Sequence, residues 1–316
     1  MVLPIMGAGA QSADMSTKFD LLTTAELAEF ARKSDPPGLF RFAVHLGILA
    51  GTGTLIMMAD TSPVIGAAFL AHGIVLTFLF SPLHESVHRT AFKSHWLNRV
   101  AGWIGGGVLI LPPRYFSHFH FAHHRHTQDP ERDPELLRAK PAGWGEYLWI
   151  LTGIEYWYRA TGGLVNRSIG RVPAAFVPAP QTGRVVTESR VFLTVYVAAV
   201  FLSIIFQVDW LLWLWVVPAL IGQPFLRAYL LAEHWGCPAV KDMWRNTRST
   251  LSNPLVRFLA WNMPYHAEHH AYASVPFHAL PALSRRIAAA RQFASPGYAR
   301  FHAQEAPGLI SRGTGI

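Results

Sequence analysis

The chain of 316 residues contains a single cysteine, Cys237, and few charged residues. One cysteine excludes an internal disulfide framework, a thiolate zinc site and a cysteine-ligated iron–sulfur cluster. Only 15% of the residues are charged, whereas a typical soluble domain carries about 25%. Together with a mean hydropathy of +0.22, this composition indicates a protein built largely for a membrane.

Acidic residues are less frequent than basic ones. The sequence has 19 Asp and Glu and 27 Lys and Arg, which gives a formal net charge of +8. A nucleic-acid-binding protein gathers its basic residues on one face or element. Here they are spread through segments that flank apolar stretches. We therefore expect the bilayer as a partner and no nucleic acid.

Four stretches are apolar and nearly long enough for the roughly 20 residues that a transmembrane helix needs. They are Leu39–Met58, Pro63–Phe80, Val191–Phe206 and Trp210–Leu231. Leu97–Leu111 is shorter and rich in glycine, which favours a re-entrant or interfacial segment. The fold class predicted is all-α and integral to the membrane, with about four transmembrane helices and a cytoplasmic helical cap that carries a di-metal histidine site.

The two short loops between paired spans contain Asp60 and Asp209 but no Lys or Arg. The positive-inside rule then predicts a multi-pass protein of the bacterial inner membrane, with both termini and the histidine site in the cytoplasm. Residues 1–38 mix acids and bases, which favours a tail and an interfacial helix over a secretory signal. Residues 39–290 form the predicted membrane domain, and residues 291–316 a C-terminal tail.

Two further segments are assigned by composition. Tyr147–Tyr158, with two tryptophans, is predicted to be one interfacial helix. Ala174–Gly183, rich in proline and alanine, is predicted to be an irregular loop.

Three histidine clusters carry the chemistry, and each lies beside an apolar stretch. Spacings of three and four residues place side chains on one face of a helix. Imidazole is the commonest metal ligand and suits iron, zinc and copper. Eight ligands are too many for one ion and suit two. The clusters are box one (His84, His88), box two (His120, His123, His124) and box three (His266, His269, His270).

Several neighbouring residues are candidates for supporting roles. A ninth ligand is expected at His234, which follows the fourth span. Side chains that orient a ligand through its other ring nitrogen are a common accompaniment of metal sites. The candidates for this role are Glu85, His126, Asp133, Asn262 and Glu268.

Box one alone offers another interpretation. The run His84-Glu85-Ser86-Val87-His88 matches the zinc metalloprotease pattern, in which the glutamate is the general base. Such a protease needs one more ligand, whereas six or seven further candidates are clustered here in the same style. A histidine-rich metal transporter would place its ligands at bilayer depth, whereas the boxes lie outside the spans.

The three boxes, in this order and spacing, resemble the membrane fatty-acid desaturase superfamily over roughly residues 39–290. The runs Trp261–His270 and Val275–Pro281 are similar to bacterial members. The resemblance implies two iron ions, with zinc as an overexpression artefact, and O2 as co-substrate in the oxidation of an unactivated C–H bond. It implies a lipid or fatty-acyl substrate, and His234 matches the position of the family's additional ligand.

The superfamily shares this motif set among several reactions. A fatty-acid or acyl-lipid desaturase is the leading hypothesis. A hydroxylase, a carotenoid ketolase or hydroxylase, and an alkene-forming fatty-acid decarboxylase are the alternatives at the same kind of site. Electrons are expected from a separate donor such as a ferredoxin with its reductase.

Overall fold

The computed structural model describes residues 21–173 and 175–313, and these are mostly helical. Within them the only strands are β1 (Ser249–Thr250) and β2 (Ala294–Ser295), a short parallel pair with Ser249 opposite Ala294. The all-α prediction is therefore confirmed. The first helix of the described residues is α1 (Thr24–Phe30), and Thr23 and Glu26 form a capping box at its start.

Four helices of the described part are long and apolar enough to cross a membrane. The first is α2 (Pro36–Met58), and the second joins α3 (Ser62–Thr77) to α4 (Phe80–His88). The third is α9 (Ala179–Ile205), and the fourth joins a π-helical segment (Leu212–Val216) to α10 (Val217–His234). All four predicted spans are confirmed as helices of this kind.

The third span is much longer than the sequence predicted. The predicted loop from Ala174 to Gly183 was wrong in its second half, because α9 already begins at Ala179; Ala174 itself lies outside the described residues. The first part of α9 contains charged residues such as Glu188, which lowered its apolar density. Such residues are tolerated there because Glu188 is buried and accepts a hydrogen bond from the Arg114 backbone N–H at 2.7 Å.

The second and fourth membrane helices cross at a pair of glycines. A Cβ added to Gly222 would lie 1.9 Å from the Gly73 carbonyl oxygen, and one added to Gly73 would lie 2.4 Å from the Pro218 carbonyl oxygen. Only glycine lets two helix backbones approach this closely. The crossing aligns α10 with α3 and α4, and so brings His234 toward box one.

Two histidines inside the spans, His45 and His72, form hydrogen bonds between helices. His45 Nε2 lies 2.7 Å from the Val75 carbonyl oxygen, and His72 Nε2 lies 3.0 Å from that of Leu214. Neutral imidazole satisfies backbone groups at modest desolvation cost. These contacts confirm that the two rings connect helices.

The connection between the second and third spans is a series of helices. The predicted segment Leu97–Leu111 is largely helical, as part of α5 (His95–Val108). The predicted single helix over Tyr147–Tyr158 was wrong, because Gly153 has a φ of +68° and separates two helices. A Cβ at Gly153 would lie 2.1 Å from Gln223 Cγ, so the break fits against α10. The series continues with α6 (Pro113–His126), a 3-10 turn (Pro134–Leu137), α7 (Trp144–Thr152) and α8 (Ile154–Ser168).

The part of the chain after α10 folds back over the end of α10 that carries His234. The segment expected as a C-terminal tail is packed, since Phe301 is fully buried beside Trp235 and Leu309 is buried with them. The remaining elements are α11 (Met243–Asn246), α12 (Pro254–Leu259), α13 (His266–Ala271), α14 (Leu280–Arg286), a 3-10 turn (Ala288–Ala290), α15 (Tyr298–Arg300), a π-helical turn (Phe301–Glu305) and α16 (Ala306–Ser311).

Candidate metal centre

The nine candidate ligands converge from four helices at one end of the bundle. Box one occupies the last two turns of α4, which ends at Arg89 with a left-handed φ of 57°. Box two occupies the second half of α6, box three forms most of α13, and His234 is the last residue of α10. Distant parts of the sequence therefore meet here, as the resemblance implied.

The rings form two groups. In the first, one ring nitrogen of each of five residues lies within 4.8 Å of the others. In the second, the same holds for three residues. His266 belongs beside the second group, because its Nε2 lies 3.2 Å from His234 Nε2 and 3.1 Å from His270 Nε2. The first group is His84, His88, His120, His124 and His269; the second is His123, His234, His270 and His266.

Hydrogen bonds determine the tautomers of the second group. His123 Nδ1 lies 2.9 Å from Asp133 Oδ1, and His234 Nδ1 lies 3.1 Å from the Asn246 carbonyl oxygen. Both partners are acceptors only, so each Nδ1 carries the proton. The Thr127 hydroxyl donates to the His123 carbonyl at 2.7 Å and therefore accepts from His270 Nδ1 at 3.2 Å. In the neutral form of these three rings, each Nε2 is consequently an unprotonated lone pair.

These lone pairs point at one another. His123 Nε2 and His234 Nε2 lie 3.2 Å apart, and in the neutral rings neither of them carries a proton. Two facing lone pairs at that distance repel each other unless a cation lies between them. The donor set therefore fits a metal ion, and neutral imidazole accepts iron as well as zinc or copper.

Burial favours the neutral form of every ligand ring of boxes two and three except His123. It lowers the pKa of His120, His124 and His269 well below its usual range, and neighbouring histidines lower it further. His123 differs: burial alone would lower its pKa, but the carboxylates of Glu135 and Asp133 outweigh burial and raise it. Neutral rings near pH 7 bind a metal without first losing a proton.

The residues predicted to support ligands differ in whether they contact a ligand ring. Asp133 is buried and contacts His123, as expected. Glu85 Oε1 lies 3.7 Å from His84 Nδ1, while its Oε2 accepts from the Phe277 N–H at 3.2 Å. His126 is half-buried and belongs to neither ligand group of the described residues.

Two of these candidates make their hydrogen bonds elsewhere. The Asn262 side chain donates to the Phe277 carbonyl at 2.9 Å. Glu268 accepts from Ser249 and from Ser284, and forms an ion pair with Arg291 at 2.7 Å. Glu268 therefore anchors α13 from the side opposite the ligand rings.

Three supporting residues were missed in the sequence. Glu233 Oε1 lies 3.3 Å from His266 Nδ1. Its signal was an acidic residue directly before His234 at the end of an apolar span. Thr127 directly follows box two and could have been noticed for that reason. The Asn246 carbonyl is a backbone group, which the sequence does not mark.

A cavity of about 610 Å³ opens beside the centre. Four candidate ligands line it, namely His84, His120, His123 and His266. Phe80, Phe116 and Phe119 contribute an apolar wall. A substrate in this cavity would lie directly against both ligand groups.

Helical spans, two groups of buried imidazoles and an adjoining cavity are the features of an integral membrane protein with a histidine-rich metal centre. A family model, described as fatty acid desaturase, matches residues 61–302. The chain therefore belongs to the fatty acid desaturase family.

Curated relatives agree with this assignment. A sphingolipid delta(4)-desaturase of Drosophila melanogaster is 28% identical over 262 residues, which cover 78% of this chain and 74% of that protein. An sn-1 oleoyl-lipid 12-desaturase of Synechocystis sp. is 24% identical over 65% of this chain and 62% of its own length. The same kind of enzyme from Picosynechococcus sp. is 22% identical over 75% and 72%.

Proposed function

We propose that the protein introduces a double bond into a lipid-borne or free fatty-acyl chain at a di-iron centre held by all nine histidines. Family membership supports the desaturase reaction over the alternatives. The observation that carries the metal assignment is the set of unprotonated Nε2 atoms pointing at one another in the second group. When bound, two iron ions supply the activation of O2 that oxidises an unactivated C–H bond.

The protein's own residues contribute orientation and exclusion of water. Asp133, Thr127 and the Asn246 carbonyl hold three rings with Nε2 toward the ion. Phe80 and Phe116 pack against each other beside the ligands, with ring centroids 5.6 Å apart. Together they provide an apolar wall along which an acyl chain would lie.

The remaining assignments extend this proposal. The site, with both termini, faces the cytoplasm of a bacterium whose inner membrane holds the four spans, as the distribution of basic residues favours. Residues 39–290 form the membrane domain. Electrons come from a separate ferredoxin-like donor, whose acidic surface would be attracted by the basic cytoplasmic face.

The test is the lipid mass profile of a host that expresses the protein together with a ferredoxin and its reductase. We expect a product lighter by two hydrogens, which disappears in His124→Ala and persists in the matched control His95→Ala. His95 is an exposed histidine at the start of α5 and belongs to neither ligand group of the described residues. Metal analysis of the purified protein should find iron, with reduced content in His124→Ala only.

Other outcomes would change the assignment. A product that gains oxygen would move the reaction to a hydroxylase or ketolase, and loss of a carboxyl carbon to a decarboxylase. Hydrolysis of a peptide without O2 would overturn the proposal in favour of a zinc protease. The position of Glu85 argues against a zinc protease, in which it would be the general base. Its Oε2 accepts a hydrogen bond from the Phe277 N–H, and the residue does not line the cavity.

A further inference from the structure

The cavity beside the metal centre has a cationic wall opposite its aromatic one. Arg167 on α8 and Arg227 on α10 both line it. Arg167 is only 4% exposed, and Arg227 is half-buried within a membrane-spanning helix. The Nε atoms of both are buried and lack a hydrogen-bond partner among residues 21–173 and 175–313. Two buried cations in one cavity are costly without an anion.

Each guanidinium lies over a tyrosine ring of the same cavity. The Arg167 guanidinium carbon is 3.8 Å from the centre of the Tyr115 ring, and that of Arg227 is 4.6 Å from the centre of the Tyr156 ring. Arg167 also shares a side-chain hydrogen bond with Tyr115, but the buried Nε of each arginine is still unpartnered. The N–H edge of a guanidinium, which includes Nε, matches the two oxygens of a carboxylate or phosphate.

The nearby acids are engaged with other residues. Glu155 pairs with Arg138 and with Arg159, each at 2.7 Å. Glu188 accepts from the Arg114 backbone and lies 3.7 Å from its guanidinium. The carboxylates that line the cavity, Glu135 and Glu233, lie beside ligand histidines at 3.7 and 3.3 Å. Glu135 and Glu233 attract Arg227, and Glu188 attracts Arg167, only from a distance. Among the described residues no carboxylate forms an ion pair with either arginine.

The position of Arg227 relates this pair to the metal centre. Arg227 precedes the candidate ligand His234 by seven residues on α10, which is two turns or about 10 Å on the same helix face. Gly163 leaves room for Arg167, since a Cβ there would lie 2.8 Å from Arg167 Nη1. The substrate's anionic end and its oxidised carbon would thus occupy one cavity.

We infer that Arg167 and Arg227 bind an anionic group of the substrate, a carboxylate or a phosphate, and so select an acyl substrate with a charged end over a neutral one. This inference rests on the proposed function, because it takes the cavity to be the acyl site. The two sources of the anion are a free fatty acid and the phosphate of a lipid headgroup.

The test is equilibrium binding to the full-length protein in nanodiscs of phosphatidylcholine. The probes are labelled palmitate, labelled methyl palmitate, and unlabelled phosphatidic acid as a competitor. We expect palmitate to bind more tightly than its methyl ester, and Arg167→Gln or Arg227→Gln to weaken palmitate about 10- to 100-fold, as for loss of a charge-assisted pair. The methyl ester should be unaffected. If phosphatidic acid displaces palmitate with an affinity that the same variants reduce, the phosphate of a lipid is the source.

The matched control is Arg159→Gln, which removes an equal charge from the cavity rim, where Arg159 is exposed and paired with Glu155. Equal binding of acid and ester, or equal loss in Arg159→Gln, would overturn the inference. Arg167→Lys and Arg227→Lys keep the charge without the planar fork and should recover part of the affinity. Binding needs neither O2 nor a donor, so a negative result here is separate from failure to detect a desaturated product.

Discussion

Asp133 offers a sharp test of the second ligand group. Its carboxylate accepts from His123 Nδ1 at 2.9 Å, from the Gln128 N–H at 2.8 Å and from the Glu135 N–H at 2.9 Å. In Asp133→Asn one oxygen becomes an NH2, which would face a donor wherever it is placed. The variant therefore loses at least one hydrogen bond, and the charge that stabilises the Nδ1–H tautomer of His123.

The expected size follows from the kind of bond that is lost. A hydrogen bond to a charged group is worth about 1.5–3 kcal/mol. Each 1.4 kcal/mol is about a factor of ten in affinity. We therefore expect Asp133→Asn to weaken one of the two metal sites about 10- to 100-fold and leave the other close to wild type. Competition with a chromophoric chelator measures both affinities.

The control lies in the same loop. Asp129→Asn removes a carboxylate that pairs with the exposed Arg132 at 2.6 Å and has no contact with a ligand ring. It should leave both metal affinities unchanged. If both metal affinities of Asp133→Asn stay within about twofold of wild type and its melting temperature is normal, the tautomer argument is refuted.

Three further predictions concern stability. Gly222→Ala should lower the melting temperature strongly, because the new Cβ would lie 1.9 Å from a backbone oxygen and overpacking costs about 1–3 kcal/mol or more. The control Gly66→Ala places its Cβ in open space and should not lower it. Glu268→Gln should also destabilise, because it leaves the largely buried Arg291 without its ion pair, and normal stability would contradict that role. The fold lowers the pKa of the three box-three histidines well below its usual range, so below about pH 6.5 the unfolded chain binds more protons than the folded protein does. The metal-free protein should therefore lose stability as the pH falls below about 6.5, by about 1.4 kcal/mol per pH unit for each of these histidines. A melting temperature that stays level from pH 7 to pH 5 would oppose it.

Local pattern was enough to predict most of the fold. Apolar length located four membrane helices. The prediction failed where tertiary contacts decide. The start of α9 is charged, yet it is helical because Glu188 is satisfied by α6. The break at Gly153 depends on Gln223, which lies 70 positions later in the sequence.

The candidate site, like the fold, could be predicted only in part. Its histidines are evident in the sequence, whereas most residues that hydrogen-bond to them can be identified only from the folded structure. Asp133 was found because it follows box two closely. Glu268 was a candidate for a supporting role, but the sequence did not indicate its partner Arg291, which is 23 residues away. The Asn246 carbonyl has no sequence signature, because any residue presents one.

The division of ligands between the two groups follows from helix geometry. The pairs four residues apart share a group in every box: His84 with His88, His120 with His124, and His266 with His270. An interval of four residues turns a helix by about 40° beyond a full turn, so both rings point to the same side of the helix and can share one ion. The leftover rings of boxes two and three, His123 and His269, are the ones in the opposite group from their box. Each of these two boxes therefore contributes to both groups, and the facing rings of His124 and His270, 4.0 Å apart, join them. A displacement of either helix should consequently disturb both ions together.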